Sequence, residues 1–112
     1  MKASVTALCI LIIYSAKAQQ ALKPFSDTSG KFGFKSPSGK IVVAPKYDYV
    51  YEFHEGLAIV RLNKQYGFVN ETGSEVIPVK FQSVDYFKAG VSRAEAGDKW
   101  GFIDKTGKEI SA

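Results

Sequence analysis

The sequence predicts an all-β protein in which tandem 34-residue repeats fold as antiparallel three-stranded meanders and hairpins, arranged as an open repeat array. The first observation behind this prediction is an aromatic-Gly-Phe triplet that recurs every 34 residues, as Phe32-Gly33-Phe34, Tyr66-Gly67-Phe68 and Trp100-Gly101-Phe102. The second is that each triplet lies in a run of β-prone residues with a period of two, followed by a glycine turn. With 112 residues, the chain has room for one small domain.

Further positions keep the same interval and define the copies. They are the turn glycines Gly39, Gly73 and Gly107, and the pairs Lys46 and Lys80, Val50 and Val84, Phe53 and Phe87, and Gly56 and Gly90. We assign residues 31–64 to the first copy, 65–98 to the second and 99–112 to a partial third copy. Residues 1–18 are interpreted as a signal peptide and residues 19–30 as a flexible linker.

These repeats resemble those of the WG repeat family, short bacterial β-repeats named for their Trp-Gly pair. The similarity is closest over residues 100–110. The second copy has Tyr66 in place of the tryptophan, and the first copy departs further, with Phe32 at this position and Ser36-Pro37-Ser38 in the turn. The resemblance covers residues 31–110. It implies a β-rich repeat fold and an exported or surface context, and it implies no catalytic residues.

The first 18 residues have the three-part pattern of a secretory signal peptide. Lys2 supplies the positive start, and the apolar run at 5–14 is short for a membrane-spanning helix. Ala16 and Ala18 form the small-x-small pattern that signal peptidase recognises. We therefore expect cleavage after Ala18 and export to the periplasm or outside the cell, with membrane contact only during export. A short membrane anchor is the alternative.

The chain from Leu57 onwards predicts three strands in order. Leu57–Leu62 is an apolar run, residues 66–70 alternate with a period of two, and residues 75–77 return after a turn in which Gly73 supplies a positive φ. Because proline cannot donate a hydrogen bond to a neighbouring strand, we expect Pro78 to end the return strand at a sheet edge.

Similar segments flank this meander on both sides. A second meander is predicted at 91–96, 100–104 and 108–110, and the first copy supplies only the hairpin 31–35 with 40–43. Because a hairpin alone is marginally stable, it should pack on the next unit. Between the units, apolar residues recur at i, i+3 and i+6 over residues 47–53, which favours an irregular or 3₁₀ crossover.

Two repeated positions carry specific packing predictions. Gly67 interrupts a strand, where glycine has a low propensity, so we expect it to allow either a close approach of another backbone segment or aromatic cover from a neighbouring strand. Trp100 occupies the repeated aromatic position, so we expect its side chain to cover the core.

Composition and motifs exclude several classes of function. One Cys and one His are too few for a disulfide framework or a multi-histidine metal site. The net charge of +4 would fall to +2 after removal of Lys2 and Lys17, and the lysines are scattered, so we expect no nucleic-acid partner. The sequence has no nucleophile elbow and no phosphate-binding loop. We therefore expect no catalytic residues, no metal and no cofactor.

The candidate binding residues lie where the first two copies differ. In the first copy they are Tyr49, Tyr51, Glu52 and His54. The second copy has, at the matching positions, Ser83, Asp85, Tyr86 and Lys88. Since the shared positions account for the core, unshared aromatic residues with polar tips are typical of contact surfaces. The alternative is that these tyrosines fill the groove between units.

The resulting function hypothesis is a non-catalytic interaction module that binds an unidentified protein, peptide or glycan. A self-associating structural component of the cell envelope, forming a homo-oligomer, is the alternative. A small hydrolase is a third possibility, because Glu52 and Glu55 beside His54 could support general acid-base chemistry. It is less favoured, because Lys88 holds the matching position in the second copy and no nucleophile is evident.

Overall fold

The computed structural model describes residues 22–110, and every regular element in that range is a β-strand. The first sheet consists of β1 (Lys23–Ser26), β2 (Phe32–Lys35) and β3 (Ile41–Tyr47). The middle sheet consists of β4 (Tyr49–His54), β5 (Leu57–Leu62), β6 (Gln65–Asn70) and β7 (Glu75–Phe81). The third sheet consists of β8 (Ser83–Val84), β9 (Ser92–Ala96), β10 (Lys99–Ile103) and β11 (Glu109–Ile110). In each sheet the strands are antiparallel neighbours in chain order, and the sheets are open. The predicted all-β class and open repeat array are therefore confirmed.

Short turns of defined chemistry connect the strands. The two-residue turns Asn63-Lys64 and Gly97-Asp98 have positive φ at both positions, as a tight hairpin with twisted strands requires. The longer turn after β6 is organised by Asn70, whose side-chain oxygen accepts hydrogen bonds from the backbone N–H groups of Thr72 and Ser74. Asp104 makes the equivalent bonds one copy later, which explains the repeated turn sequence.

The middle sheet is covered on both faces. Leu57 and Ile59 of β5 pack with Phe68 in a cluster shared with the third sheet. The alternate residues Ala58 and Val60 belong to a second cluster, shared with the first sheet. Since successive side chains of a strand point to opposite faces, a strand between two layers is apolar throughout, as Leu57–Leu62 is over its first four residues.

The two junctions between sheets repeat one aromatic contact. The ring centroids of Phe34 and Phe53 are 4.9 Å apart at the first junction, and those of Phe68 and Phe87 are 4.8 Å apart at the second. Phe34 is 1% exposed and Phe68 is fully buried. The shared phenylalanines of the sequence therefore form the contacts that hold consecutive sheets together.

The predicted crossover at residues 47–53 is wrong. This segment is the end of β3 followed by β4, a strand that joins the middle sheet and makes it four-stranded. A register shift between Val50 and Phe53 in the pairing with β5 explains the misleading spacing. Val50 and Phe53 both join the first-junction cluster, although strict alternation would separate them.

Two smaller expectations also need correction. The predicted linker 19–30 contains β1, which pairs with β2 from Lys23 opposite Lys35 to Ser26 opposite Phe32. Residues 1–21, including the predicted signal peptide 1–18, lie outside the described residues. Pro78 does not end its strand: β7 continues to Phe81. Because β7 is an edge strand of the middle sheet, a missing proline N–H is tolerated there.

Trp100 does not cover the core as predicted. Its side chain is 53% exposed and Phe102 is 43% exposed, and the guanidinium carbon of Arg93 lies 4.7 Å from the Trp100 ring centre. Phe68, the counterpart of Phe102, is buried because the third sheet packs over it. Among the described residues, no further sheet packs over Trp100 and Phe102, so both remain exposed.

The close approach expected at Gly67 is confirmed. A Cβ atom built on Gly67 would lie 2.6 Å from the carbonyl oxygen of Ile77 and 2.8 Å from backbone atoms of Pro78 and Val79. A Cβ atom built on Gly33 in the first sheet would likewise clash with the carbonyl oxygen of Val43. In the first two triplets the glycine is therefore required, because backbone atoms of the neighbouring strand lie where a Cβ atom would be.

Gly67→Ala should destabilise the protein by about 2 kcal/mol or more, because backbone atoms on the opposing strand would have to move. The matched control is Gly101→Ala, at the same position of the third copy, where a Cβ would meet the flexible Glu109 carboxylate at 3.0 Å. The control should change stability by less than about 1 kcal/mol. Urea denaturation of both variants measures the difference, and equal losses would contradict the close approach.

Candidate functional site

The first junction between sheets is closed along one side by tyrosine. The ring of Tyr49 lies 5.1 Å from that of Phe32 and 4.9 Å from that of Tyr51, with edge-to-face geometry in both pairs. Deeper in the junction, the Tyr47 hydroxyl donates a 2.6 Å hydrogen bond to Glu75. Burial, followed by this bond, raises the pKa of Tyr47, which keeps the phenol protonated. Tyr47 and Tyr49 thus both contact neighbouring side chains at the first junction.

The second junction has a small polar residue where the first has Tyr49. By the 34-residue interval, Ser83 stands in place of Tyr49, and Asp85 in place of Tyr51. A groove of about 230 Å³ opens here between the middle and third sheets. It is lined by Tyr51, Ile59, Tyr66, Ser83, Val84, Asp85 and Tyr86. The difference between the two junctions therefore coincides with a groove.

Aromatic rings form the walls of the groove. Tyr51 and Tyr66 lie together, with ring centroids 6.5 Å apart, while the 43%-exposed Tyr86 comes from the third sheet's side. Buried Ile59 and half-buried Val84 add apolar surface. Burial, followed by the neighbouring Tyr66, raises the pKa of Tyr51, so its hydroxyl stays protonated.

The groove's polar side is built on β8 and the segment after it. The Asp85 carboxylate lies 3.4 Å from Nε of Arg93, and both side chains are more than half exposed. The hydroxyl of buried Ser92 donates a 2.7 Å hydrogen bond to the backbone carbonyl oxygen of Asp85, which holds the Asp85 backbone in place. The Asp85 carboxylate is thus held at the rim, already paired with a positive charge.

Contacts from the middle sheet hold Tyr86 and the segment that follows it. His54 stacks on Tyr86, with ring centroids 3.9 Å apart. The Glu55 carboxylate accepts hydrogen bonds from the backbone N–H groups of Ala89 and Gly90, at 2.6 and 2.8 Å, and lies 3.5 Å from Nζ of Lys105. These contacts lower the pKa of Glu55, the Gly90 bond most, and they attach the third sheet to the hairpin between β4 and β5.

The four predicted binding residues occupy different environments. Tyr49 is 44% exposed but packs against two aromatic rings, and Glu52 is exposed. Tyr51 lines the groove, and His54 supports its Tyr86 wall. The structure therefore gathers two of the four residues, Tyr51 and His54, at the second junction.

Sequence reasoning missed four groove residues: Tyr66, Ser83, Asp85 and Tyr86. Three of these are the second-copy counterparts of Tyr49, Tyr51 and Glu52, so the difference between the copies did mark the region. The sequence alone did not show that a groove forms where the side chains become smaller.

Metal and membrane features were sought in the part of the chain that the structure describes. Residues 22–110 contain no group of three or more His, Cys, Asp or Glu side chains placed to hold a metal ion. No helix within that range is long and apolar enough to cross a membrane.

Comparison with protein-family models gives a match to the WG containing repeat at residues 32–66, 66–100 and 100–112. The chain belongs to the WG-containing repeat family. Each matched repeat begins one residue after the start assigned from the sequence, at the aromatic residue of the triplet. Comparisons with curated proteins and with solved structures give no match. Membership of this family shows that the chain is a β-repeat protein. The groove is a feature of this chain's own geometry.

Glu55→Gln should lower stability near neutral pH and change its pH dependence. Because the folded-state pKa of Glu55 lies below the ordinary value of 4.5, its contribution is present above the pKa of the unfolded chain. That contribution disappears as the pH falls through the folded-state pKa. The stability gap between wild type and Glu55→Gln should therefore narrow between about pH 6 and about pH 3.

Urea denaturation across this pH range measures the gap. Glu52→Gln, a change to an exposed carboxylate three positions earlier, is the matched control and should follow the wild-type profile. A gap that stays constant with pH would show that Glu55 does not act through its charge on the Ala89-Gly90 turn.

Proposed function

We propose that this WG-repeat protein is an exported, non-catalytic binding module that holds its ligand in the groove of the second junction. The observation that carries the proposal is the contrast between two otherwise equivalent junctions. Tyr49 packs on Phe32 at the first junction, whereas Ser83, at the matching position of the second junction, lines an open groove. Small-molecule sites are typically concave, with aromatic walls and a few polar groups, and the groove has this character.

The surroundings of its polar groups support binding over catalysis. His54, the one histidine of the chain, stacks on Tyr86 and serves as support for a wall. The Asp85 carboxylate lies 3.4 Å from Nε of Arg93, so it is already engaged by a positively charged partner. The groove's lining residues include no cysteine, and no histidine or lysine that could activate Ser83.

Self-association as a structural component is the second candidate, and a separate observation favours it. Three of the exposed large apolar side chains, Trp100, Phe102 and Ile110, lie on β10 and β11 of the third sheet. Apolar residues grouped on one exposed surface favour association between proteins. This candidate uses the third sheet and leaves the groove free, so the two roles are compatible.

A screen of small fragments by ¹H–¹⁵N NMR should detect ligands in the groove. Fragments that bind the wild-type chain should shift the amide signals of Tyr51, Tyr66 and residues 83–86. Ser83→Tyr restores the side chain of the first junction and should reduce these shifts at least about tenfold, because a tyrosine there would occupy the groove.

Glu52→Ala, at an exposed position of the same strand as Tyr51, is the control and should leave the shifts unchanged. Fragments that bind wild type and Ser83→Tyr equally, or that shift only signals around Tyr49, would contradict the groove as the binding site.

Export rests on the predicted signal peptide and has its own test. The mature protein should begin at Gln19, because Ala16 and Ala18 form the small-x-small pair directly after the apolar run. N-terminal sequencing of the protein from the periplasm or the medium measures this start. Soluble material that retains Met1 would contradict export by cleavage.

A further inference from the structure

The groove combines aromatic faces with hydrogen-bonding groups at one place. Tyr51, Tyr66 and Tyr86 each present a ring and a hydroxyl, and Ser83 adds a smaller hydroxyl. Such rings are apolar on the face and polar at the tip. A ligand that matches them needs an apolar face bordered by hydrogen-bonding groups.

The charged groups at the rim balance each other. Asp85 carries the one formal negative charge among the lining residues, and Arg93 lies against it at 3.4 Å. Arg93 is in turn held over the Trp100 ring. A cationic ligand would have to compete with Arg93 for the carboxylate, and an anionic ligand would meet Asp85. The balance favours a neutral ligand, for which the pair supplies both acceptors and donors.

The size of the groove restricts the ligand further. At about 230 Å³ it is smaller than the usual range for drug-sized ligands, and it suits a single six-membered ring. A hexopyranose has C–H groups on its ring faces and hydroxyl groups around its edge. Its face can lie on a tyrosine ring while its hydroxyl groups reach Ser83 and Asp85.

We propose that the second junction binds one ring of a neutral sugar, between the tyrosine walls and beside the Asp85–Arg93 pair. This inference rests on the proposed binding function and names its ligand class. Selectivity would come from the hydroxyl groups that the ion pair contacts, and affinity from the aromatic faces. A single ring in a shallow groove should bind weakly, in the millimolar range.

Titration of the purified full chain with methyl glycosides, followed by ¹H–¹⁵N NMR, tests the inference. The probes are the methyl β-glycosides of glucose, galactose and N-acetylglucosamine. Glucuronate is the anionic comparator, and glucosamine and choline are the cationic ones. At least one neutral glycoside should shift the signals of residues 83–86 and Tyr66, and it should do so at lower concentration than any charged comparator.

Tyr86→Leu and a matched control variant distinguish the loss of a ring that contacts the sugar from a general loss of protein stability. Tyr86→Leu should weaken glycoside binding at least about fivefold, because it removes an aromatic wall. Phe25→Leu changes a half-buried aromatic residue of the first sheet that does not line the groove, and it should leave binding within about twofold. Denaturant melts confirm that both variants are folded before they are compared.

Three results would overturn the inference: a charged comparator that binds more tightly than every neutral glycoside, glycoside-induced shifts of amide signals away from the groove, or equal losses of glycoside affinity in Tyr86→Leu and the control variant. If fragments occupy the groove but no neutral glycoside does, the binding function stands and the sugar assignment is wrong. If neither fragments nor glycosides bind there, both proposals are wrong.

Discussion

Each sheet in this protein is too small to bury its own apolar side chains, and the rest of the structure follows from that constraint. A sheet of three or four short strands needs a partner layer. The middle sheet obtains one on each face, so the alternate residues of β5, Ile59 and Val60, contribute to two different clusters. The phenylalanine contacts Phe34–Phe53 and Phe68–Phe87 seal the two junctions in the same way. Stability thus belongs to the junctions more than to any sheet, as expected for a repeat array.

Much of this architecture could be predicted because the repeat makes the sequence its own reference. The triplets located β2, β6 and β10, and Gly67 was correctly assigned to a close backbone approach. The errors arose where tertiary context decides the outcome. The register shift in β4 gives its apolar residues a spacing typical of a helix, although the segment is a strand. The strand β1 is recognisable only through its pairing with β2. Trp100 was assigned to the core from its repeat position, but exposure depends on which layer packs over that position.

The candidate site shows a similar limit. Comparing copies within one chain identified the positions that are free of the common packing role, and Tyr51 and His54 do lie at the second junction. The sequence did not show that Ser83 and Asp85, which stand at the positions of Tyr49 and Tyr51 in the second copy, also line the groove. Where Ser83 replaces Tyr49, the matching position lines a groove and no longer packs on an aromatic ring. One repeat position can therefore contribute to packing at one junction and line a groove at the next.

The stacking of the three sheets depends most directly on equivalent aromatic contacts across the two junctions. Nuclear Overhauser cross-peaks between aromatic ring protons detect these contacts without any mutation. Cross-peaks are expected between Phe34 and Phe53 and between Phe68 and Phe87, whose ring centroids are 4.9 and 4.8 Å apart. The absence of either cross-peak in a folded sample, or a contact between Phe34 and Phe87 instead, would contradict the stacking of the three sheets in chain order.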